Sequence, residues 1–272
     1  MVKIDHTSRA HAKLSASGSE KWLNCPGSVS AESGYPNTTS VFAKEGTVAH
    51  EVANLALISK SPASFYVGQE IEGFLITETM ANYVQKYLDY VEKYINENST
   101  IFIEERVDYS NYAKDGFGTV DFAQINYKDG ICRLIDFKYG KGVSVKAEEN
   151  TQGQMYALGL LNLFIQLEII EKFEIHIVQP RLNIYDSWSL PLSWLEDFGE
   201  YVKKQSKLAL KQNAPRLAGR HCLFCKAKRD CKEYEELTSD KAKYYSENTG
   251  PKRHSDGSEW DDYKWNSVMK YF

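Results

Sequence analysis

The sequence predicts an α/β fold with a mixed β-sheet core flanked by helices, and three observations predict it. Two runs rich in β-branched and aromatic residues, Thr119 to Tyr127 and Ile131 to Lys138, flank Asp129-Gly130, a strong short-range hairpin signal. A segment from about Glu148 to Leu167 is apolar almost all round, the mark of a helix buried against a sheet. Ile76, Met80, Tyr83, Val84, Tyr87, Leu88, Val91 and Ile95 recur at intervals of three and four, which gives a one-faced helix from about Gly73 to Asn96.

The remaining elements follow in chain order. The first dozen residues are polar and read as loose. Leu14 to Ser30 gives a helix and turn carrying Trp22, Cys25 and Pro26, and Ala43 to Ile58 a second helix. Ile101 to Val107 is the first strand, ahead of the Asp-Gly hairpin. After the buried helix comes a strand at Phe173 to Gln179, stopped by Pro180, then another near Tyr185 to Leu190 and a helix from Ser193 to Gln212. Beyond Glu236 the chain turns polar, with loop signals at Asn248-Thr249-Gly250-Pro251 and Asp256-Gly257, and it ends in an aromatic stretch from Trp260 to Phe272. The expected organisation is one domain over residues 11–235 and a polar linker with a short tail over 236–272.

Composition narrows the classes. With 272 residues, 42% of them hydrophobic, there is chain enough for one sizeable core. No apolar run approaches the roughly 18 residues needed to span a bilayer, so no membrane partner is expected. A net charge of −4 is unlike a general nucleic-acid binder. The distribution is uneven, however. Between Lys203 and Lys232 ten basic residues stand against Asp230 alone, among them Lys203, Lys204, Lys207, Lys211, Arg216 and Arg220. That run suits a phosphate channel, and a solvated helix face is its plainer reading.

The hairpin concentrates the chemistry. If Asp129-Gly130 is a two-residue loop, Lys128 faces Ile131 and Asp121 falls opposite Lys138. Alternation then puts Asp121, Asp136 and Lys138 on one face, with the two aspartates about 7–8 Å apart at the backbone. A three-residue loop would turn Asp121 away. Such acids suit a Mg²⁺ or Mn²⁺ ion, and Lys138 suits the water that attacks a phosphodiester. A cross-strand Asp–Lys salt bridge is the alternative. Gln152 and Tyr156, four apart, share a helix face. Thr47, His50, Glu51 and Asn54 make a polar stripe on the second helix.

Cys222, Cys225 and Cys231 show the spacing C-x2-C-x5-C, and Cys25 stands far upstream. With no charged-then-apolar leader, a metal site is expected rather than disulfides. Four thiolates suit tetrahedral Zn²⁺ or an iron–sulfur cluster, and local spacing does not separate the two. Three cysteines with His221 could also hold zinc. Joining Cys25 to Cys222 would clip the N- and C-terminal segments together across a long loop. Cys132 reads as core.

On these residues the chain resembles the PD-(D/E)XK nucleases of RecB type. Asp121, then Asp136-Phe137-Lys138, match the acid, gap and acid-x-Lys signature; Gln152 to Tyr156 match the Gln-x-x-x-Tyr helix; Gly46 to His50 match a Gly-x-x-x-His helix that supplies an imidazole ligand. The split cysteines are similar to those of iron–sulfur nucleases such as AddB and CRISPR-associated exonucleases. The resemblance implies a restriction-endonuclease-like core with His50, Asp121 and Asp136 as metal ligands. It implies a [4Fe–4S] cluster on Cys25, Cys222, Cys225 and Cys231.

The runs Leu14 to Pro26 and Asp136 to Gly142 look like a group of phage-encoded nuclease-like proteins known only as a domain of unknown function. This implies an exonuclease acting on single-stranded DNA or DNA ends, in phage or bacterial replication or recombination within the host cytoplasm. A single-strand-binding or recombination protein is the expected partner. No Gly-x-x-x-x-Gly-Lys-Ser/Thr phosphate loop is present, so unwinding must come from elsewhere. The rival expectation is a non-catalytic DNA-binding accessory protein that keeps fold and cluster.

Overall fold

The computed structural model describes residues 12–36, 40–164 and 170–247. Residues 1–11, the end of the expected 148–167 helix and the aromatic stretch from Trp260 to Phe272 lie outside them. The chain forms two compact units, one of Met1–Ser19 with Asn37–Lys203 and one of Glu20–Pro36 with Lys204–Phe272. Two short helices, α1 (Ser19–Asn24) and α2 (Ser28–Glu32), take the place of the single helix and turn expected over Leu14 to Ser30.

In the first unit, α3 (Val41–Ser59) begins where the Ser40 hydroxyl accepts the Ala43 N–H at 3.1 Å and ends at Lys60 in the left-handed region. A two-stranded hairpin that the sequence reading lacks, β1 (Glu70–Ile71) and β2 (Phe74–Leu75), turns through Glu72 and Gly73, both at positive φ. Gly73 is thereby used in a turn, and α4 (Glu78–Glu92) starts later than expected, capped by Thr77.

The sheet is built from β3 (Ser99–Asp108), β4 (Phe117–Asn126), β5 (Ile131–Phe137), β6 (Lys172–Gln179) and β7 (Ile184–Pro191), side by side in that order. Every pairing is antiparallel except β5 with β6, whose parallel crossover is α5 (Thr151–Phe164). Helices α3 and α4 bury their apolar sides with Phe122, Ile135, Phe137 and Val178 on one face. Helix α5 covers the other face closely: a Cβ on Gly153 would come within 2.6 Å of Ile175, and one on Gly159 within 2.8 Å of Val107. The mixed sheet with helices on both faces is the fold class the sequence predicts.

The hairpin register differs from expectation. Asn126, not Lys128, pairs with Ile131, and residues 127–130 form the loop. The cause lies in Asn126, whose side-chain oxygen accepts the N–H groups of Lys128 and Asp129 while its amide donates to the Asp129 carboxylate. The displacement is by an even number of residues, so side chains keep their faces. The last rungs, Ala123 with Leu134 and Phe122 with Ile135, bring Asp121 opposite Asp136 rather than Lys138.

A second irregularity reverses the pleat. Ile103 and Phe122 pack with α3 and α4, yet Val107 and Gly118, at the same parity on β3 and β4, lie against α5. Regular alternation forbids this. The reversal falls between them, at Glu104 on β3, which takes φ +50, and at Asp121 across from it, where the β3–β4 ladder skips one rung.

Helix α6 (Leu192–Ala209) starts in the first unit and ends in the second. In the second unit, α7 (Lys232–Glu247) is helical through residues the sequence assigns to a polar linker. No helix among the described residues is long and apolar enough to cross a membrane.

Candidate active site

The end of β5 delivers two functional groups around a buried anchor. Phe137 is fully buried, stacked on Tyr87 at 4.5 Å between ring centres and 5.1 Å from the His50 ring. Burial of such a ring stabilises the fold by about 2–3 kcal/mol and fixes its neighbours Asp136 and Lys138 on the opposite face. There Lys138 Nζ lies 2.9 Å from Asp136 Oδ2 and donates to Gln152 Oε1 at 2.8 Å. Gln152 Nε2 donates to Asp136 Oδ1 at 3.2 Å and to the Tyr156 hydroxyl at 3.0 Å. Asp136, Lys138, Gln152 and Tyr156 therefore form one connected group, while Asp121, expected on the same face as Asp136 and Lys138, turns instead to His50 in a recess with Phe137.

The pleat reversal supplies the rest. Asp121 Oδ1 meets His50 Nδ1 at 3.1 Å, and its Oδ2 accepts the Phe137 N–H at 2.7 Å. His50, Glu104 and Asp121 each offer a ligand atom within 4.8 Å of the others, so Glu104 joins the set named from the sequence. Its identity was hidden because Glu104 and Glu105 are adjacent acids on one strand. Only the pairing across the 109–116 connection, with the turned φ at Glu104, tells them apart. These three side chains share a small, partly open recess with Asn54, Tyr87 and Phe137. Asn54 Oδ1 and the Tyr87 hydroxyl are buried there without a hydrogen-bond partner. Carboxylates, an imidazole and orphaned oxygens in one recess are a donor set that fits a hard divalent cation.

The electrostatics separate the two aspartates. Burial raises the Asp136 pKa and the nearby Asp121 carboxylate adds to that, with Lys138 opposing, so the net shift is upward. Burial acts the same way on Asp121, but His50 and the Phe137 N–H outweigh it and hold its carboxyl below the usual range. Burial depresses His50, and the charges of Asp121, Glu104 and Asp136 more than compensate, leaving its pKa raised. A pair of carboxylates driven apart in this way is typical of acid–base or metal chemistry.

The second unit holds all four cysteines named from the sequence. The Leu217 N–H points at Cys25 Sγ (3.3 Å) and the Gly219 N–H at Cys222 Sγ (3.4 Å). Cys25 and Cys231 are close enough to Cys222 to act on its charge. Burial pushes the Cys222, Cys225 and Cys231 thiols up. Cys132 lies in β5, fully buried. His221 turns its ring to the Leu217 carbonyl at 2.8 Å.

The basic run is divided between the units. Lys203 pairs with Glu200 at 2.7 Å and sits over the Tyr112 ring, whereas Lys204, Lys207, Lys211, Arg216 and Arg220 are exposed in the second unit.

A family model described as "Protein of unknown function (DUF2800)" matches residues 11–257. Among solved structures, the chain is similar to SSO0001 at 15% identity, with 84% of this chain and 91% of that one covered and a TM-score of 0.34. It is also similar to a Eubacterium rectale protein provisionally named an exonuclease, at 12% identity, with 80% and 88% covered and a TM-score of 0.40. Neither likeness is close enough to carry an argument about chemistry.

Proposed function

The chain belongs to the DUF2800 family of proteins of unknown function, and we propose that it is a divalent-metal-dependent DNA nuclease. The observation that carries this reading is the convergence of His50, Glu104 and Asp121 with Asp136, Lys138 and Gln152 at one end of the sheet. His50, Asp121 and Asp136, with Glu104, would hold Mg²⁺ or Mn²⁺. When bound, such an ion neutralises charge building on the phosphate and makes water a better nucleophile.

The residues themselves do the positioning. Lys138, held between Asp136 and Gln152, keeps an ammonium where an attacking water must be oriented. Tyr156 fixes the Gln152 amide from below. The Phe137 N–H holds the Asp121 carboxylate in place. The rival reading is a non-catalytic DNA-binding accessory protein, and the joint presence of Asp121, Asp136 and Lys138 favours catalysis over it.

The same reading gives Cys25, Cys222, Cys225 and Cys231 a [4Fe–4S] cluster, with Zn²⁺ as the alternative. Main-chain N–H groups aimed at Sγ atoms support metal-bound thiolates there. Lys204, Lys207, Lys211, Arg216 and Arg220 would attract DNA phosphates. The substrate is single-stranded DNA or a DNA end, in phage or bacterial replication or recombination, with a single-strand-binding or recombination protein as partner in the cytoplasm.

The test is cleavage of end-labelled single- and double-stranded DNA with Mg²⁺ or Mn²⁺. Asp136→Asn and Lys138→Ala should abolish cleavage while circular dichroism stays unchanged. Full activity in either variant would overturn the mechanism.

A further inference from the structure

The segment that leaves β5 carries two glycines with no reason inside the chain. Gly140 and Gly142 flank Lys141, and neither adopts positive φ, unlike Gly68, Gly73 and Gly130. A Cβ on either would meet nothing within 4 Å, whereas one on Gly118, Gly153 or Gly159 would collide with a neighbour. Backbone conformation and internal packing thus leave both positions open to side chains. What glycine does preserve is free space above the main chain, two and four residues beyond Lys138.

This segment is nonetheless firmly held from beneath. Gln179, only 2% exposed, donates through Nε2 to the carbonyls of Gly140 (2.7 Å) and Val143 (2.9 Å). Its Oε1 accepts the Val145 N–H at 3.2 Å, and Asp186 Oδ2 accepts the Ala147 N–H at 2.8 Å. At the root, the Lys138 N–H donates to the Val178 carbonyl (2.9 Å), and Tyr139 is braced by the Glu45 carboxylate and the Arg181 guanidinium. Lys141, Gly142, Ser144 and Lys146 face solvent. A buried glutamine that commits three hydrogen bonds to one loop makes a firm platform whose outer side carries the bare backbone of Gly140 and Gly142, two ammonium groups and the exposed side chains of Val143 and Ser144, with Glu148 and Glu149 beyond it. Its shape and charge suit a polyanion that must come close to the main chain.

We propose that residues 140–146 form a cradle for the sugar–phosphate backbone of the strand being cut, with Lys141 and Lys146 pairing with phosphates beside the scissile one. This rests on the nuclease reading above and adds the group that grips the substrate. Gly140 and Gly142 admit the backbone, and Gln179 is a positioning residue that acts through the loop.

The test is binding of a fluorescein-labelled single-stranded oligodeoxynucleotide to the full chain, followed by anisotropy in EDTA across a salt series. Removing Lys141 and Lys146 together (K141A with K146A) should weaken binding and reduce the slope of log K against log salt by about 0.7 per lysine lost. At about 50 mM salt that amounts to roughly tenfold per lysine. Gly142→Val should weaken binding as well, with Tm and Mn²⁺ affinity unchanged. Gln179→Leu should weaken binding without changing the salt slope, because both ammonium groups remain.

Unchanged binding and slope in the lysine variant would overturn the cradle, as would a wild-type chain that binds no oligonucleotide. A lower Tm in Gly142→Val would show that glycine serves the fold and would remove that half of the argument. The two readings fail separately. A chain that binds through this loop but cuts nothing sinks only the nuclease, while cleavage that depends on Asp136 with intact binding in the loop variants sinks only the cradle.

Discussion

Asp121 Oδ2 accepts the main-chain N–H of Phe137 at 2.7 Å, so a side chain joins β4 to β5 where their ladder has ended. That bond makes a structural demand separable from metal binding. Asp121→Asn keeps an acceptor for the N–H and discards the charge, whereas Asp121→Ala strands a donor beside the fully buried Phe137 ring. The alanine variant should be less stable than the asparagine variant by about 1–3 kcal/mol in urea unfolding at neutral pH. Both should lose Mn²⁺ binding by calorimetry. Equal stability of the two would show that the bond contributes nothing.

Gln152 touches Lys138, Asp136 and Tyr156 without belonging to the His50, Glu104 and Asp121 recess. Its removal should disturb the ammonium more than the cation. Gln152→Ala is expected to lower cleavage by about 10–100-fold, the range seen when outer partners of a metal site are lost. Its Mn²⁺ affinity should change far less than that of Asp121→Asn. Wild-type cleavage by Gln152→Ala would remove the amide from the mechanism.

How much of this was legible follows from the range over which each signal acts. The Asp-Gly pair announced a hairpin, but Asn126 decided its register, because a side chain that mimics the turn backbone competes with the two-residue loop. Asp136 and Lys138 keep a common face whatever the register, being two residues apart on one strand, whereas the pleat reversal turns Asp121 to His50. Glu104 was out of reach: its partner Asp121 is set by a long connection, and the pleat reversal that aims it is a property of two strands together. In the β1–β2 turn, Glu72 takes positive φ at a position where glycine or asparagine is usual, so that hairpin left only half of its ordinary signature. The α5 helix was readable because it is apolar on every side, and its glycines show why it can lie so close to the sheet.

One strand over from Asp136, His176 on β6, which pairs with Ile135, predicts a pH effect on stability. Its ring is 5% exposed, with Nδ1 at 2.9 Å from the Tyr90 hydroxyl, Nε2 at 3.8 Å from Glu174, and Glu174 itself paired with Arg133 at 2.7 Å. Burial, aided by Arg133 and opposed by Glu174, pushes its pKa down to about 4. In the unfolded chain the imidazole takes a proton near pH 6.5. Between these values the unfolded chain binds more protons, so the contribution is full above about pH 6.5 and is lost as pH falls toward 4. Urea unfolding should show a loss on the order of 2 kcal/mol from about pH 7 to about pH 5 attributable to this group. His176→Gln should flatten that part of the slope. An identical pH dependence in the variant would mean the ring titrates alike in both states.

The thiols of the second unit give the last prediction. Tetrahedral zinc at about 2.3 Å from each sulfur would draw the Sγ atoms to within about 4 Å of one another. Among the described residues, the set with ligand atoms inside 4.8 Å is His50, Glu104 and Asp121, and the cysteines are not part of it. They are nevertheless close enough for Cys25 and Cys231 to act on Cys222. Metal content therefore decides between a single zinc ion and a cluster, in which each thiolate binds a different iron. Anaerobically purified protein should be brown and contain about four irons per chain for a [4Fe–4S] cluster. Cys25→Ser should bleach it as fully as Cys225→Ser, because a ligand far off in sequence counts equally once the unit is folded. Chelation of the metal should lower the unfolding midpoint of this unit before that of the sheet. A colourless sample with one zinc per chain would replace the cluster by a single ion, and a Cys25→Ser variant that keeps its full metal content would remove Cys25 from the ligand set.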